Sequence, residues 1–84
     1  MKTTQEKIGD LAASVMLLAQ TSGLRWDEVV AALGLASNGL AVAASTQGDG
    51  SRKDCIDEAR KRLDDAMRLE VQVSFGPSSI TLAH

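Results

Sequence analysis

The sequence has few of the side chains that usually carry out chemistry. Its 84 residues include one His, one Cys, one Trp, one Phe, one Pro and no Tyr. A single Cys excludes a disulfide within the chain, and one Cys with one His cannot supply the four ligands of a structural zinc site. His84 is the last residue of the sequence, a position where side chains are usually too mobile to act as a general base. We therefore predict that the chain is not an enzyme and that it holds no metal and no cofactor.

The sequence also lacks a large excess of charge of either sign. Nine Lys and Arg residues stand against eleven Asp and Glu residues, which gives a formal net charge of −2. This balance excludes a basic coat for nucleic acid and an acidic tail protein. Hydrophobic residues make up 44% of the sequence, which is ordinary for a folded chain. We expect residues 1–84 to form one small domain with a modest core.

The sequence does not have the pattern of a secretory leader. Such a leader has positive charge without acids ahead of its apolar run, and small residues at the cleavage site. Here Glu6 and Asp10 precede the apolar run at residues 11–19, and residues 20–23 are Gln-Thr-Ser-Gly. The sequence therefore predicts a cytoplasmic protein, with Cys55 as a reduced, unpaired thiol.

Apolar periodicity predicts a first helix from about Thr4 to Gln20. Thr3 and Glu6 have the spacing of a capping box, in which each side chain satisfies a free amide of the other residue. Gly23 suits the left-handed conformation that ends many helices. Apolar residues recur at steps of three and four and so share one helical face. They are Ile8, Leu11, Ala12, Val15, Leu18 and Ala19.

The second predicted helix starts at residue 25 or 26 and runs to about Thr46. No charged residue occurs from Val29 to Gly48. A helix that is apolar or small nearly all round is usually buried on more than one side. A break near Gly34 or Gly39 is the alternative, because each internal Gly costs about 1 kcal/mol relative to Ala. We favour one continuous helix.

This second helix has more apolar surface than two neighbouring helices can cover. We therefore predict a homo-oligomer, a dimer or larger, in which small side chains let helices of different chains approach closely. The residues predicted to pack between chains are Ala32, Ala36, Gly39, Leu40 and Ala43.

A glycine-rich turn at residues 47–50 precedes a third helix that Ser51 caps and that ends near Leu69 or Glu70. This helix has a narrow apolar stripe and a charged outer surface. Acidic residues precede basic ones by four positions, a spacing that stabilises helices. The pairs are Asp57–Lys61, Glu58–Arg62 and Asp64–Arg68.

The spacing of apolar residues changes after Glu70, from steps of three and four to steps of two. Val71, Val73 and Phe75 alternate with polar residues, which predicts a half-buried strand. Residues 76–79 read as a turn, and residues 80–83 have the composition of a short second strand. The predicted fold is mainly α, a helical hairpin plus an amphipathic helix with a β-type tail at residues 71–84. Because an isolated hairpin is marginal in water, the tail is a candidate assembly element.

The uncharged stretch reaches the roughly 20 residues that a membrane span needs. Its composition is largely Ala, and it also contains Ser37, Asn38 and two Gly residues. Ala contributes little to membrane insertion, and Asn opposes it. We expect a buried soluble helix and no membrane partner.

Residues 26–37 look like the first helix and turn of a helix-turn-helix motif. The segment that would read the bases, residues 36–45, has no Arg or Lys and only Ser37 and Asn38 to contact base edges. DNA recognition needs more basic side chains to neutralise phosphates and more polar side chains to contact base edges. A DNA-binding regulator is therefore the alternative function, and nucleic acid is not the expected partner.

A third function rests on the turn that opens the third helix. Gly50, Ser51, Arg52 and Lys53 combine free amides, a hydroxyl and two cations, which can hold a phosphate at a helix N-terminus. This would make the chain a small anion or nucleotide binder. The strand that precedes a nucleotide-binding loop is missing, so a plain capped turn is the favoured interpretation.

The favoured function is a small non-enzymatic interaction or regulatory protein that oligomerises and binds a protein partner. Bacterial and phage accessory factors are proteins of this kind. Trp26 is a candidate partner contact, because Trp is over-represented among binding anchors. A core anchor is the competing interpretation of Trp26. Val71, Val73 and Phe75 of the tail are the other candidate contacts.

Overall fold

The computed structural model describes residues 1–69, 74–75 and 78–79. It is mainly helical, as predicted. Its three helices are α1 (Thr4–Thr21), α2 (Trp26–Thr46) and α3 (Arg52–Met67).

Two strands of two residues each follow the helices: β1 (Ser74–Phe75) and β2 (Ser78–Ser79). Their backbones pair antiparallel, with Ser74 opposite Ser79 and Phe75 opposite Ser78. The predicted tail strands at Val71–Phe75 and at residues 80–83 lie largely outside the described residues, so the β-type tail stays a prediction.

The chain divides into two compact units. The first contains Met1–Val29 together with Val71–His84, and the second is Val30–Glu70. Helix α1 therefore belongs to the first unit, and α3 with most of α2 belongs to the second. The second unit is a helical hairpin closed by the glycine-rich turn.

The start of α1 is the predicted capping box. The Glu6 amide donates to the Thr3 hydroxyl at 3.1 Å, and the Thr3 amide donates to the Glu6 carboxylate at 3.2 Å. These bonds satisfy amides that have no partner within the helix. Gly23 follows the helix with φ of 78°, a conformation that costs glycine little.

Helix α2 begins with a different arrangement of charges. The Arg25 amide donates to the Glu28 carboxylate at 2.9 Å, and the Arg25 guanidinium donates to both carboxylate oxygens of Asp27 at 3.1 and 2.7 Å. The hydrogen bond from Arg25 lowers the pKa of Asp27 below its ordinary value. The helix then continues without a break through Gly34 and Gly39, which confirms the continuous helix favoured from the sequence.

Helix α3 starts as predicted and ends slightly earlier. The Asp54 amide donates to the Ser51 hydroxyl at 3.1 Å, and the last helical residue is Met67 instead of Leu69 or Glu70.

Two of the three predicted ion pairs of α3 are confirmed. Glu58–Arg62 and Asp64–Arg68 both have N–O distances of 2.7 Å. The prediction that Asp57 pairs with Lys61 is wrong, because Asp57 pairs with Lys53 at 2.7 Å. Asp57 lies one turn from each lysine, and spacing alone does not choose between them.

Burial of α2 differs most from the prediction. We expected this helix to be buried on more than one side, but among the described residues only Ala41 is buried, at 6% exposure. The apolar face of α1 is also partly open, since Ala12, Val15 and Ala19 are half-buried whereas most of its larger side chains are exposed. The described helices therefore keep most of their large apolar side chains in contact with solvent.

The open surface of α2 predicts how its glycines respond to substitution. A methyl group placed on Gly39 would meet no atom within 4 Å beyond its own helical neighbours, so the described part of the chain leaves open space there. Gly39→Ala should therefore raise the free energy of unfolding by about 1 kcal/mol, the difference in helix propensity. Chemical denaturation at low protein concentration measures this change.

Gly23→Ala is the matched control for this prediction. Gly23 also has open space around it but holds φ of 78°, a conformation that L-residues adopt at a cost of about 1–2 kcal/mol. It should therefore lower the free energy of unfolding. A destabilising effect of Gly39→Ala would contradict the open surface described here.

Candidate functional site

The second unit contains a groove between α2 and α3. Its volume is about 660 Å³, within the range of ligand-sized sites. The side chains along its floor are apolar or small: Leu40, Ala41, Ala44, Cys55, Ala59 and Leu63. Polar and charged residues lie along its edges: Ser37, Asp49, Asp54, Glu58 and Arg62.

Burial along the groove floor is graded. Ala41 is buried, and Ala44, Cys55 and Ala59 are half-buried. Leu40 is 73% exposed and Leu63 is 42% exposed, although both line the groove. The alanines that line the groove are therefore buried or half-buried, whereas Leu40 and Leu63 are exposed.

Three of the polar side chains that line the groove make hydrogen bonds within the chain: Ser37, Glu58 and Arg62. The Ser37 hydroxyl donates to the Leu33 carbonyl at 2.8 Å. The Arg62 guanidinium donates to Glu58 at 2.7 Å, and this hydrogen bond lowers the pKa of Glu58 below its ordinary value. The Asp54 side chain lies in the first turn of α3, where the helix dipole favours negative charge. The four charged residues of the lining are thus three acids, Asp49, Asp54 and Glu58, and one base, Arg62.

The groove does not contain a set of groups for covalent or acid–base chemistry. Cys55 is a free, half-buried thiol, and no His lies among the residues that line the groove. Within the described part of the chain, no group of three or more His, Cys, Asp or Glu residues could hold a metal ion. The lining that remains is mainly apolar or small.

A second exposed surface lies on another side of α2. Ala32, Ala36, Gly39 and Ala43, which we call the small-residue face, are all exposed in the chain. At about 100° per residue, the centre of this face lies roughly 120° around the helix from the centre of the groove-lining residues of α2. Leu40, predicted to pack with these residues, lies between the two surfaces and lines the groove.

Trp26 occupies the first turn of α2 and is 56% exposed. Half of its surface is therefore available to a partner. The tail residues predicted to act with it, Val71 and Val73, lie outside the described residues, and only the backbone of Phe75 is described.

Two of the four residues of the predicted anion site, Ser51 and Lys53, make contacts within the chain. The Ser51 hydroxyl accepts from the Asp54 amide, and the Lys53 ammonium donates to Asp57 at 2.7 Å. Lys53 thus pairs along the helix with a residue one turn further on. These contacts are those of a plain capped turn, the interpretation favoured from the sequence.

The helix-turn-helix resemblance does not extend to the geometry of the segment. That motif needs a turn within residues 26–45, where α2 runs as one helix from Trp26 to Thr46.

Sequence reasoning found both stripes that form the groove but not the groove itself. The apolar stripe of α3 and the apolar residues of α2 are visible as steps of three and four residues. Whether two such stripes close on each other or stay apart depends on the packing between helices, which periodicity does not determine. The alternation of Leu40 and Leu63 with alanines was the one available signal, since small residues leave space beside large ones.

In comparisons with protein-family models, curated proteins and solved structures, none matched this chain. Function is therefore inferred from its own residues.

The ion pairs of α3 predict a pH dependence. The hydrogen bond from Lys53 lowers the pKa of Asp57, and that from Arg62 lowers the pKa of Glu58. A lowered pKa in the folded state means that the ionised carboxylate stabilises the helix. This stabilisation is complete above the ordinary pKa values of about 4 and is lost as the pH falls through the lowered values. Circular dichroism at 222 nm should show a loss of helix in this window.

The double variant Asp57→Asn, Glu58→Gln is the control for the pH series. It removes both titrating groups, so its helix signal should change less between pH 5.5 and pH 2.5 than that of the wild type. Equal changes in the two proteins would assign the transition to other carboxylates.

Proposed function

We propose that the chain is a small non-enzymatic interaction protein that assembles with copies of itself through α2 and binds a protein partner. The observation that supports this proposal is the exposure of an uncharged helix. Between Val29 and Gly48 the sequence has no charge, yet Ala41 is the sole buried residue of α2.

The free energy of this exposure favours association. Burying a Val, Leu or Ile side chain contributes about 1.5–3 kcal/mol. Val30, Leu35 and Leu40 of α2 are each at least half exposed, so covering them in a second chain has a large driving force. Extended exposed apolar patches on soluble proteins usually mark binding surfaces.

The proposed assembly is soluble and cytoplasmic. The charged outer surface of α3, with its ion pairs at 2.7 Å, would keep such an assembly in solution. Trp26 provides an exposed aromatic side chain for the partner, since Trp is frequent at the centre of interfaces.

The proposed assembly predicts a mass above that of one chain. Sedimentation equilibrium at micromolar concentration should give at least twice the 8.8 kDa of the monomer, because apolar surface that one chain leaves open is covered in the oligomer. A mass of 8.8 kDa at every concentration would contradict the proposal.

A membrane-spanning α2 is the second candidate. The helix from Trp26 to Thr46 has 21 residues and is apolar enough to cross a membrane by length and composition. Its exposure within the chain is what lipid contact would require. Cell fractionation distinguishes this candidate: a chain that stays with the membranes after an alkaline wash spans them, and a chain released into the supernatant does not.

The tail is proposed as a further assembly element. An alternating strand over Val71, Val73 and Phe75 has open edges, and pairing with the tail of another chain or with a partner's sheet would satisfy them. Truncation after Glu70 should therefore leave the helices intact by circular dichroism and weaken the oligomer or partner binding. If the truncated chain keeps its mass and its partner, the tail is only a local cover. Loss of the helices would instead place the tail in the core of the monomer.

A further inference from the structure

We propose that the Asp49–Gly50 peptide, in the turn between α2 and α3, is a site of spontaneous aspartate isomerisation, and that the Asn38–Gly39 peptide within α2 is protected from the related deamidation. Both reactions are covalent changes of the backbone that need no enzyme and no cofactor. The inference concerns the chain's own chemistry and does not depend on the proposed assembly.

The sequence offers two sites for this chemistry. In both reactions a backbone amide attacks the preceding side chain, and the attack is fastest when glycine supplies the amide, because glycine has no side chain to hinder the approach. Of the seven glycines in the sequence, Gly39 follows Asn and Gly50 follows Asp. In an unfolded chain the Asn site is the faster one, since an ionised carboxylate resists attack at neutral pH.

The reaction at Asp49 changes the path of the backbone. The Gly50 amide nitrogen bonds to the side-chain carboxyl carbon of Asp49 and loses its proton, while a carbon–oxygen bond breaks and the oxygen leaves as water. The product is a five-membered succinimide. Water then adds to either ring carbonyl: opening at the side-chain carbonyl restores Asp, and opening at the backbone carbonyl gives isoaspartate. At Asn38 the same ring would form with loss of ammonia.

The turn leaves the Gly50 amide available for this attack. Its neighbours make the hydrogen bonds that end α2: the Gly48 amide donates to the Ser45 carbonyl at 3.2 Å, and the Asp49 amide donates to the Ala44 carbonyl at 3.1 Å. The Gly50 amide itself donates to no backbone carbonyl among the described residues. No hydrogen bond to the backbone therefore has to break before it reacts.

The Asn38–Gly39 peptide has the opposite setting. It lies within α2, which runs without a break from Trp26 to Thr46, and each amide inside such a helix donates to the carbonyl four residues earlier. Attack at Asn38 therefore requires local unfolding of the helix, and every 1.4 kcal/mol of opening free energy slows the reaction about tenfold.

Exposure to solvent does not separate the two sites. Asn38, Gly39, Asp49 and Gly50 are all exposed. The difference lies in the hydrogen bonding of the backbone, which is regular at the first pair and open at the second.

Isomerisation at Asp49 alters the junction of the hairpin. Asp49 lines the groove between α2 and α3. Isoaspartate adds a methylene group to the backbone at this position and leaves a carboxylate attached directly to the α-carbon. The turn is therefore the part of the described chain that changes first as the protein ages.

The test compares the full chain in buffer with the same chain unfolded in guanidinium chloride, both incubated at neutral pH and one temperature. Peptide mapping with electron-transfer fragmentation distinguishes isoaspartate from Asp and detects deamidation of Asn38. Folding should leave the rate at Asp49 within about threefold of its unfolded value and should slow the reaction at Asn38 at least about tenfold, the effect of about 1.4 kcal/mol of opening free energy.

Asp49→Glu is the matched control variant. It keeps the negative charge, but its longer side chain would have to close a six-membered ring, which forms much more slowly. The variant should lose the product at residue 49 and deamidate at Asn38 at the wild-type rate, with circular dichroism verifying that its helices are intact.

Two results would overturn the inference. If folding slows Asp49 as much as Asn38, the turn protects its backbone and is not an isomerisation site. If Asn38 reacts as fast in the folded chain as in guanidinium chloride, α2 does not hold the Gly39 amide and the proposed contrast fails.

Discussion

An uncharged helix without a covering surface is the constraint on which the other features of this chain depend. From Val29 to Gly48 there is no charge, and yet one residue of α2, Ala41, is buried. A helix in this state gains little from contact with its own chain. Its apolar side chains must be covered by something else or remain in water at a cost that a small domain can poorly tolerate.

The rest of the described structure is organised around the ends of the helices. A capping box starts α1, a carboxylate contact to the Arg25 amide starts α2, and Ser51 caps α3. Ion pairs along α3 add local support, and all of them are exposed. Such local interactions hold individual helices in shape, but helical stability in proteins comes mainly from packing of apolar faces. A second chain, or a lipid environment, would provide that packing.

The groove between α2 and α3 has well-formed helices on both sides, but most of its large apolar side chains are not buried. Of its alanines, Ala41 is buried, and Ala44 and Ala59 are half-buried. Its leucines stay open because small neighbours leave space beside them. The small-residue face is a second exposed surface on the same helix.

The sequence by itself determined the helices and their ends, because these depend on interactions within a few residues. Thr3 with Glu6, Ser51 with Asp54, and Gly23 after α1 each act over one helical turn. It also placed the apolar stripes of α2 and α3, since periodicity fixes which residues share a face. It did not determine whether Asp57 pairs with Lys53 or Lys61, as both lie one turn away. Only the tertiary structure decided that Ala41 is buried while Leu40 and Leu63 stay exposed, because burial depends on how closely whole helices approach and not on the spacing of residues along either one.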